Sequence, residues 1–163
     1  MALGCKIIEG GFMKIYIGTD HAGFELKEEL KKFLENLGYE IEDMGAYEFS
    51  ATDDYPDFVF PVAKAVAEDT EKRRGIILGG TGIGNGILAN QVKGIRPGII
   101  YDEYSAKMSR EHNDANVMAL GARTLSADKA KKLVKIWLDT PFSDEEKHKR
   151  RIDKIKKLES DRL

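Results

Sequence analysis

Residues 75–91 read GIILGGTGIGNGILANQ, and no other stretch restricts the fold as strongly. Three apolar residues, Ile76 to Leu78, run straight into five glycines within eight positions, after which Ile87, Leu88 and Ala89 resume an apolar pattern at helical density. This is the pattern of a buried parallel strand, a loop of bare backbone and the start of a helix. Glycines let backbone N–H groups approach a ligand closely, and the helix start adds unpaired N–H groups and the positive end of its dipole. Together these make a cradle for a phosphate or a developing oxyanion. A plain βα turn packed on its own sheet would use the same residues, so the neighbours of the loop must decide. Two nucleotide motifs do not fit. No Lys-Ser or Lys-Thr follows the glycines, and Asn85 stands where the third glycine of G-x-G-x-x-G would be, so a small phosphorylated ligand is expected rather than a nucleotide.

The 163 residues suffice for one domain with its own core. A net charge of −2 with both signs mixed offers no electrostatic footprint for nucleic acid or an anionic membrane. The single cysteine, Cys5, excludes an intramolecular disulfide and a cysteine-based metal cluster. No apolar run has the length of a membrane span. Residues 1–12 lack the apolar core of a signal peptide and are expected to be an upstream start lying outside the fold, with residues 13–163 as one domain. A soluble, cytoplasmic protein is expected.

Five strands are predicted: Lys14–Thr19, Tyr39–Met44, a third centred on Ile76–Leu78, Gly98–Tyr101 and Val117–Leu120. Helices alternate with them. Leu26, Leu30, Phe33, Leu34 and Leu37 form a stripe over Phe24–Leu37, which Gly38 ends. Pro56 opens a helix over Asp57–Glu71, in which Pro61 marks a point for a kink. Tyr104–Glu111, Ala127–Leu138 behind the cap Ser126, and Asp144–Glu159 complete the set. Strands alternating with helices define an α/β domain with a parallel sheet, whose ligands bind at the C-terminal strand ends. Asp20 and His21, the glycine loop, Asp102 and Glu103, and Arg123 all fall there. The last helix carries few apolar positions, which suits packing across a subunit boundary.

Gly18-Thr-Asp-His-Ala-Gly23, Asp54-Tyr-Pro56, Gly80-Thr-Gly-Ile-Gly84, Ser109-Arg-Glu-His-Asn-Asp-Ala-Asn116 and Gly121-Ala-Arg123 stand in the order and spacing of the ribose-5-phosphate isomerase B family. The chain resembles that family, and the related galactose-6-phosphate isomerase subunits, from Met13 to about Ile155. The resemblance implies a three-layer αβα, Rossmann-like sandwich around a five-stranded parallel sheet. It implies interconversion of an aldose phosphate and a ketose phosphate through a cis-enediol, without metal or cofactor. It also implies a homodimer or homotetramer with active sites shared between subunits. Carried over residue by residue, Asp20 and His21 contact sugar hydroxyls and phosphate, and Tyr55 lies beside the substrate. The amides of Gly80, Thr81, Gly82 and Gly84 face the enediolate. His112 opens the sugar ring with Asn113 beside it. Arg123 binds phosphate, as do Lys147 and Arg151, where the family has two arginines around a histidine. Lysine at 147 keeps the charge but loses the bidentate fork.

One departure concerns the chemistry itself. The cysteine that many members carry just before the loop is Gly79 here, and the glutamate that serves another branch is Asn85. Neither residue is a base, and enediol formation needs one within about 3 Å of the carbon-bound proton. Asp102 and Glu103, taken to border the loop, are the leading candidates, with Asp20 third. Two further readings stay open: an isomerase for another aldose phosphate or one subunit of a mixed complex, and a phosphosugar-binding protein without turnover. If only the base is missing, Gly79→Cys is expected to raise activity.

Overall fold

The computed structural model describes residues 7–8 and 11–161. Five strands, β1 (Lys14–Thr19), β2 (Glu40–Asp43), β3 (Arg73–Gly79), β4 (Pro97–Ile100) and β5 (Val117–Gly121), form one parallel sheet in the order β2-β1-β3-β5-β4. The helices are α1 (Phe24–Asn36), α2 (Pro56–Ala67), α3 (Ile83–Ala89), α4 (Glu103–Glu111), α5 (Ala127–Asp139) and α6 (Glu146–Ser160). The three-layer, Rossmann-like α/β sandwich expected from the sequence is the one observed. Ile7–Ile8 and Gly11–Phe12 pair as a separate two-stranded antiparallel ladder. The rest of the 1–12 leader falls outside the described residues.

Because helices cover both faces, the inner strands are buried throughout and read as apolar runs. The two-residue period of a strand divides their side chains. Ile76, Leu78, Met118 and Leu120 face Leu30, Leu34, Leu133 and Trp137 of α1 and α5. Ile77, Val117 and Ala119 face Val59, Val62 and Val66 of α2 and Ala89 of α3. β3 begins three residues before the predicted apolar centre, since Arg73 and Arg74 join the ladder on Lys14 and Ile15. α2 runs unbroken through Pro61 and ends at Ala67, short of the predicted Glu71. α3 begins at Ile83 rather than near Ile87, because Gly82 at φ 77° turns the chain into the helix directly. Among the described residues no helix is long and apolar enough to cross a membrane.

Strand order decides where a ligand meets this fold. β1 continues through α1 on one face, and its neighbour β3 continues through α3 on the other, so a crevice opens between their C-terminal ends. The wall beside it is fixed by a buried cation. Lys27 of α1 is wholly buried, and its Nζ donates to Asp43 Oδ1 and Oδ2 at 2.8 and 2.7 Å and to the Ala46 carbonyl at 2.7 Å. Lys31 adds a bond to Asp43 at 2.6 Å. These bonds tie the end of β2 and the start of the 45–54 loop to α1.

Burial by itself would raise the Asp43 carboxyl, but hydrogen bonds from Lys27, Lys31 and the Gly45 N–H outweigh it and hold the group below the ordinary aspartate range. A carboxyl depressed in the fold lends stability above its unfolded pKa and loses it as pH falls through the folded one. Thermal unfolding should therefore shift downward below about pH 4. Asp43→Ala leaves buried Lys27 with only Glu28, 3.2 Å away, and a carbonyl. It should cost about 3 kcal/mol in urea unfolding at neutral pH.

Candidate active site

The glycine loop is held by its neighbours as much as by its own sequence. The Ala122 and Arg123 amides donate to the Gly79 and Gly80 carbonyls at 2.8 and 3.0 Å, hanging the loop on the end of β5. A Cβ on Gly82 would lie 2.9 Å from the Leu120 carbonyl carbon, so only glycine allows this approach at this φ. Thr81 turns its hydroxyl back to accept from the Ile83 amide at 3.3 Å. No protein acceptor among the described residues takes the amides of Thr81, Gly82 or Gly84, so they remain available to an oxyanion. The Arg123 side chain flanks Gly80, with Nη1 3.4 Å from where a Cβ would be, and the Tyr55 ring lies over Gly84 at 3.1 Å by the same measure.

Asp20 and His21 leave β1 beside this loop, in a turn packed on β3 closely enough that a Cβ on Gly23 would meet Leu78 Cβ at 2.7 Å. Asp20 Oδ1 caps the turn by accepting from the Ala22 amide at 3.1 Å. His21 is bound twice by Asp53, whose Oδ1 lies 2.9 Å from the His21 backbone N and 2.7 Å from Nδ1. Asp20, His21 and Asp53 bring ligand atoms within 4.8 Å of one another, which resembles part of a metal shell. The imidazole and carboxylate are already joined by a hydrogen bond, however, so the group is an internal pair.

Asp53 escaped the sequence reading. It sits in a polar loop with no periodicity, next to Asp54, and nothing in a run of two aspartates says which one turns inward. Its nearness to Tyr55 and Pro56 was the only available signal. His148 is the second omission. Buried at the start of α6, it stacks on His112 with ring centres 4.3 Å apart and planes at 12°.

The leading candidates for the base are elsewhere and occupied. β4 is the edge strand, with β5 between it and β3, so the end of β4 does not border the loop. Asp102 accepts from the Ser105 amide at 2.7 Å as the N-cap of α4, and that bond holds its carboxyl below the usual range. Glu103 pairs with Lys132 at 2.6 Å. Gly79→Cys, expected to raise activity if only the base is missing, meets a steric obstacle. A Cβ at Gly79 would fall 2.2 Å from Asn85 Oδ1. Asn85 is buried and tied through Nδ2 to the Leu78 carbonyl at 2.9 Å, so it fills the room a side chain at 79 would need.

The remaining matched residues gather at the opposite, N-terminal end of the strands. His112 ends α4, and Arg96, just before β4, donates from Nε to the Asn113 carbonyl at 3.0 Å. Lys147 is exposed beside Glu145 at 2.8 Å, and Arg151 is exposed one turn further along α6. The five residues of β5 put roughly 15 Å between this end and the loop. A groove of about 420 Å³ under the end of α6, lined in part by Arg96, Asn113 and Leu158, is on this side too. Asp20, His21, Tyr55, Gly80–Gly84 and Arg123 thus gather at one end of the sheet, and His112, Asn113, Lys147 and Arg151 at the other.

A parallel α/β fold with an anion loop at its switch point, flanked by an aspartate, a histidine and an arginine, defines a protein built to handle small anionic metabolites. The chain belongs to the Ribose/Galactose Isomerase family, whose model matches residues 15–155. It is 39% identical over 147 residues to the ribose-5-phosphate isomerase B of Mycolicibacterium paratuberculosis, covering 90% of this chain and 92% of that one. Among solved structures, the ribose-5-phosphate isomerase B of Clostridium thermocellum superposes with a TM-score of 0.87 at 45% identity, covering 93% of this chain and all of that one. The enzyme of that name from Mycoplasma genitalium, solved with bound ribulose-5-phosphate, gives a TM-score of 0.88 at 37% identity, covering 91% of this chain and 97% of its own.

Two outcomes follow from this geometry. Gly79→Cys should lose about 1–3 kcal/mol to overpacking without gaining activity. Adding Asn85→Ala should return part of that loss, and a double-mutant cycle from thermal melts measures the coupling. At the other end, burial first and then the nearby His112 hold the His148 imidazole below its ordinary pKa. A base depressed in the fold gives its full stability above its unfolded value and loses it as pH falls toward the folded one. Melting temperature should thus decline from about pH 6.5 downward, and less steeply in His148→Phe, which keeps a flat ring against His112. Equal slopes in the two proteins would contradict this.

Proposed function

We propose that this chain interconverts an aldose phosphate and its ketose phosphate, ribose 5-phosphate and ribulose 5-phosphate being the pair its family membership favours. The observation that carries the reading is the loop of Thr81, Gly82 and Gly84, whose unpaired amides sit between Arg123 and the Asp20–His21 turn. A cis-enediolate places negative charge where such amides can receive it. Arg123 holds the phosphate with Lys147 and Arg151, Asp20 and His21 meet the sugar hydroxyls, Tyr55 packs beside the sugar, and His112 opens the ring next to Asn113. No cofactor enters this chemistry. Residues 13–163 act as one isomerase unit. We place it in the cytoplasm, where phosphorylated sugars are kept and a single cysteine stays reduced.

If both groups of residues serve one substrate, their separation calls for a second copy. Ile83 and Ile87 of α3, Ile99 of the edge strand, Tyr101 and Tyr104 are large and exposed, and they support a homodimer, or a homotetramer, in which one protomer's His112 end faces its partner's glycine loop. Mixing refolded His112→Asn and Arg123→Ala proteins, each inactive alone, should restore part of the activity, because a mixed dimer holds one intact site.

The direct test is ribose 5-phosphate in D2O. Ribulose 5-phosphate should form, with deuterium at C2 of the recovered aldose. No product and no exchange, here and across a panel of phosphorylated aldoses, with the protein still stabilised against heat by the sugar, would replace the reading with a binding protein. Gly79 and Asn85 are the observation that would favour that outcome.

A further inference from the structure

We propose that His21 is the proton-transfer group of this site and that Asp53 is its positioning residue, taking over the work that neither Gly79 nor Asn85 can do. The proposal rests on the isomerase reading given above. It starts from a carboxylate that has no structural duty apart from the histidine. Asp53 keeps only 11% of its side chain exposed, its Oδ1 serves His21 alone, and its Oδ2 is buried without a hydrogen-bond partner. A buried carboxylate oxygen left unpaired costs stability, and such a group calls for a reason.

The histidine supplies one. An ionised carboxylate only accepts, so the bond at 2.7 Å sets the proton on Nδ1. Nε2 of the neutral ring is then a lone-pair acceptor, and no protein group among the described residues takes it. The neutral ring accepts at Nε2, and the imidazolium donates there. The ring itself is held on two sides. Its backbone amide is tied to the same Asp53 oxygen, and Phe49 stands edge-on at 6.4 Å and 87°. Yet 27% of the side chain stays exposed, on a turn packed against the end of β3, beside the loop amides. An imidazole with an open nitrogen, an orienting acid behind it and oxyanion donors on the adjoining loop are the parts that proton abstraction next to a carbonyl requires.

The step balances without a co-reactant. The C2–H bond of the open-chain aldose breaks and its proton goes to Nε2. The bonding pair becomes the C1=C2 double bond, and the carbonyl pair moves onto O1, where the amides of Thr81, Gly82 and Gly84 receive the charge. The hydroxyl proton on O2 passes to O1, the C2–O2 bond becomes the carbonyl, and the imidazolium returns its proton to C1. Asp53 stays ionised throughout and keeps the ring in register for both transfers.

The test uses the full-length protein and its steady-state kinetics on ribose 5-phosphate, with thermal melts to show that each variant folds. His21→Gln should lower kcat by about 100-fold or more with little change in KM, as loss of a general base does. Asp53→Asn should lower kcat by about 10- to 100-fold, part of the same contribution, and Asp53→Glu should recover most of it. His21 is partly exposed, so its variant remains informative even if Asp53→Asn does not fold. If the wild type turns over and His21→Gln keeps kcat within about threefold while KM rises, the histidine only binds the sugar and the proposal is overturned. Equal kcat loss in Asp53→Asn and Asp53→Glu, with His21→Gln unaffected, overturns it too. Absence of turnover by the wild type overturns the isomerase reading first and this step with it.

Discussion

β3 is hydrogen-bonded along both sides, to β1 and to β5, and that double pairing is the constraint on which the rest depends. It fixes the point where the strand ends at Gly79. The loop beyond it then has no freedom to wander, because the Ala122 and Arg123 amides catch its first carbonyls and Gly82 presses on Leu120. An oxyanion site made of backbone amides works only if the amides are already in place, since any reorganisation would be charged against the transition state. The same pairing brings the Asp20–His21 turn to one side of the loop and Arg123 to the other.

Within that fixed frame, residues 79 and 85 compete for one volume. The Asn85 carbonyl oxygen occupies the space a side chain at 79 would enter, and its amide is satisfied by Leu78. The two replacements are therefore a single packing solution: a glycine at 79 makes room for a hydrogen-bonded amide at 85. That solution leaves no base at either position, while in the neighbouring crevice Asp53 and the part-exposed His21 form a carboxylate–imidazole pair.

Much of the fold was legible in the residues. The apolar triplet before the glycines, the leucine stripe of α1 and the cap Ser126 are local signals, and each element appeared within a few residues of its expected place. Boundaries moved where tertiary contacts overrode local preference: β3 extended through Arg73 and Arg74 because β1 offered a ladder, and α3 started early because Gly82 could take a positive φ. Asp20, His21, Gly80–Gly84 and Arg123 were legible as a group as well, since each follows the end of a strand, whereas Tyr55 stands at the start of α2. Asp53 was not, because a loop has no period from which to infer which side chain points inward. Asp102 was misplaced for a related reason, as strand order is not written in any one strand.

By itself the sequence determined the alternation of strands and helices, the glycine loop and the family to which the chain belongs, since these depend on residue type and spacing along the chain. Tertiary structure alone decided which strand ends are neighbours. It put β5 between β3 and β4 and so separated Asp102 from the loop. It also set His112 and the loop at opposite ends of the strands, turned Asp53 onto His21 and filled the place of a side chain at 79 with Asn85. These are matters of register and excluded volume between residues far apart in the chain, and no local pattern encodes them.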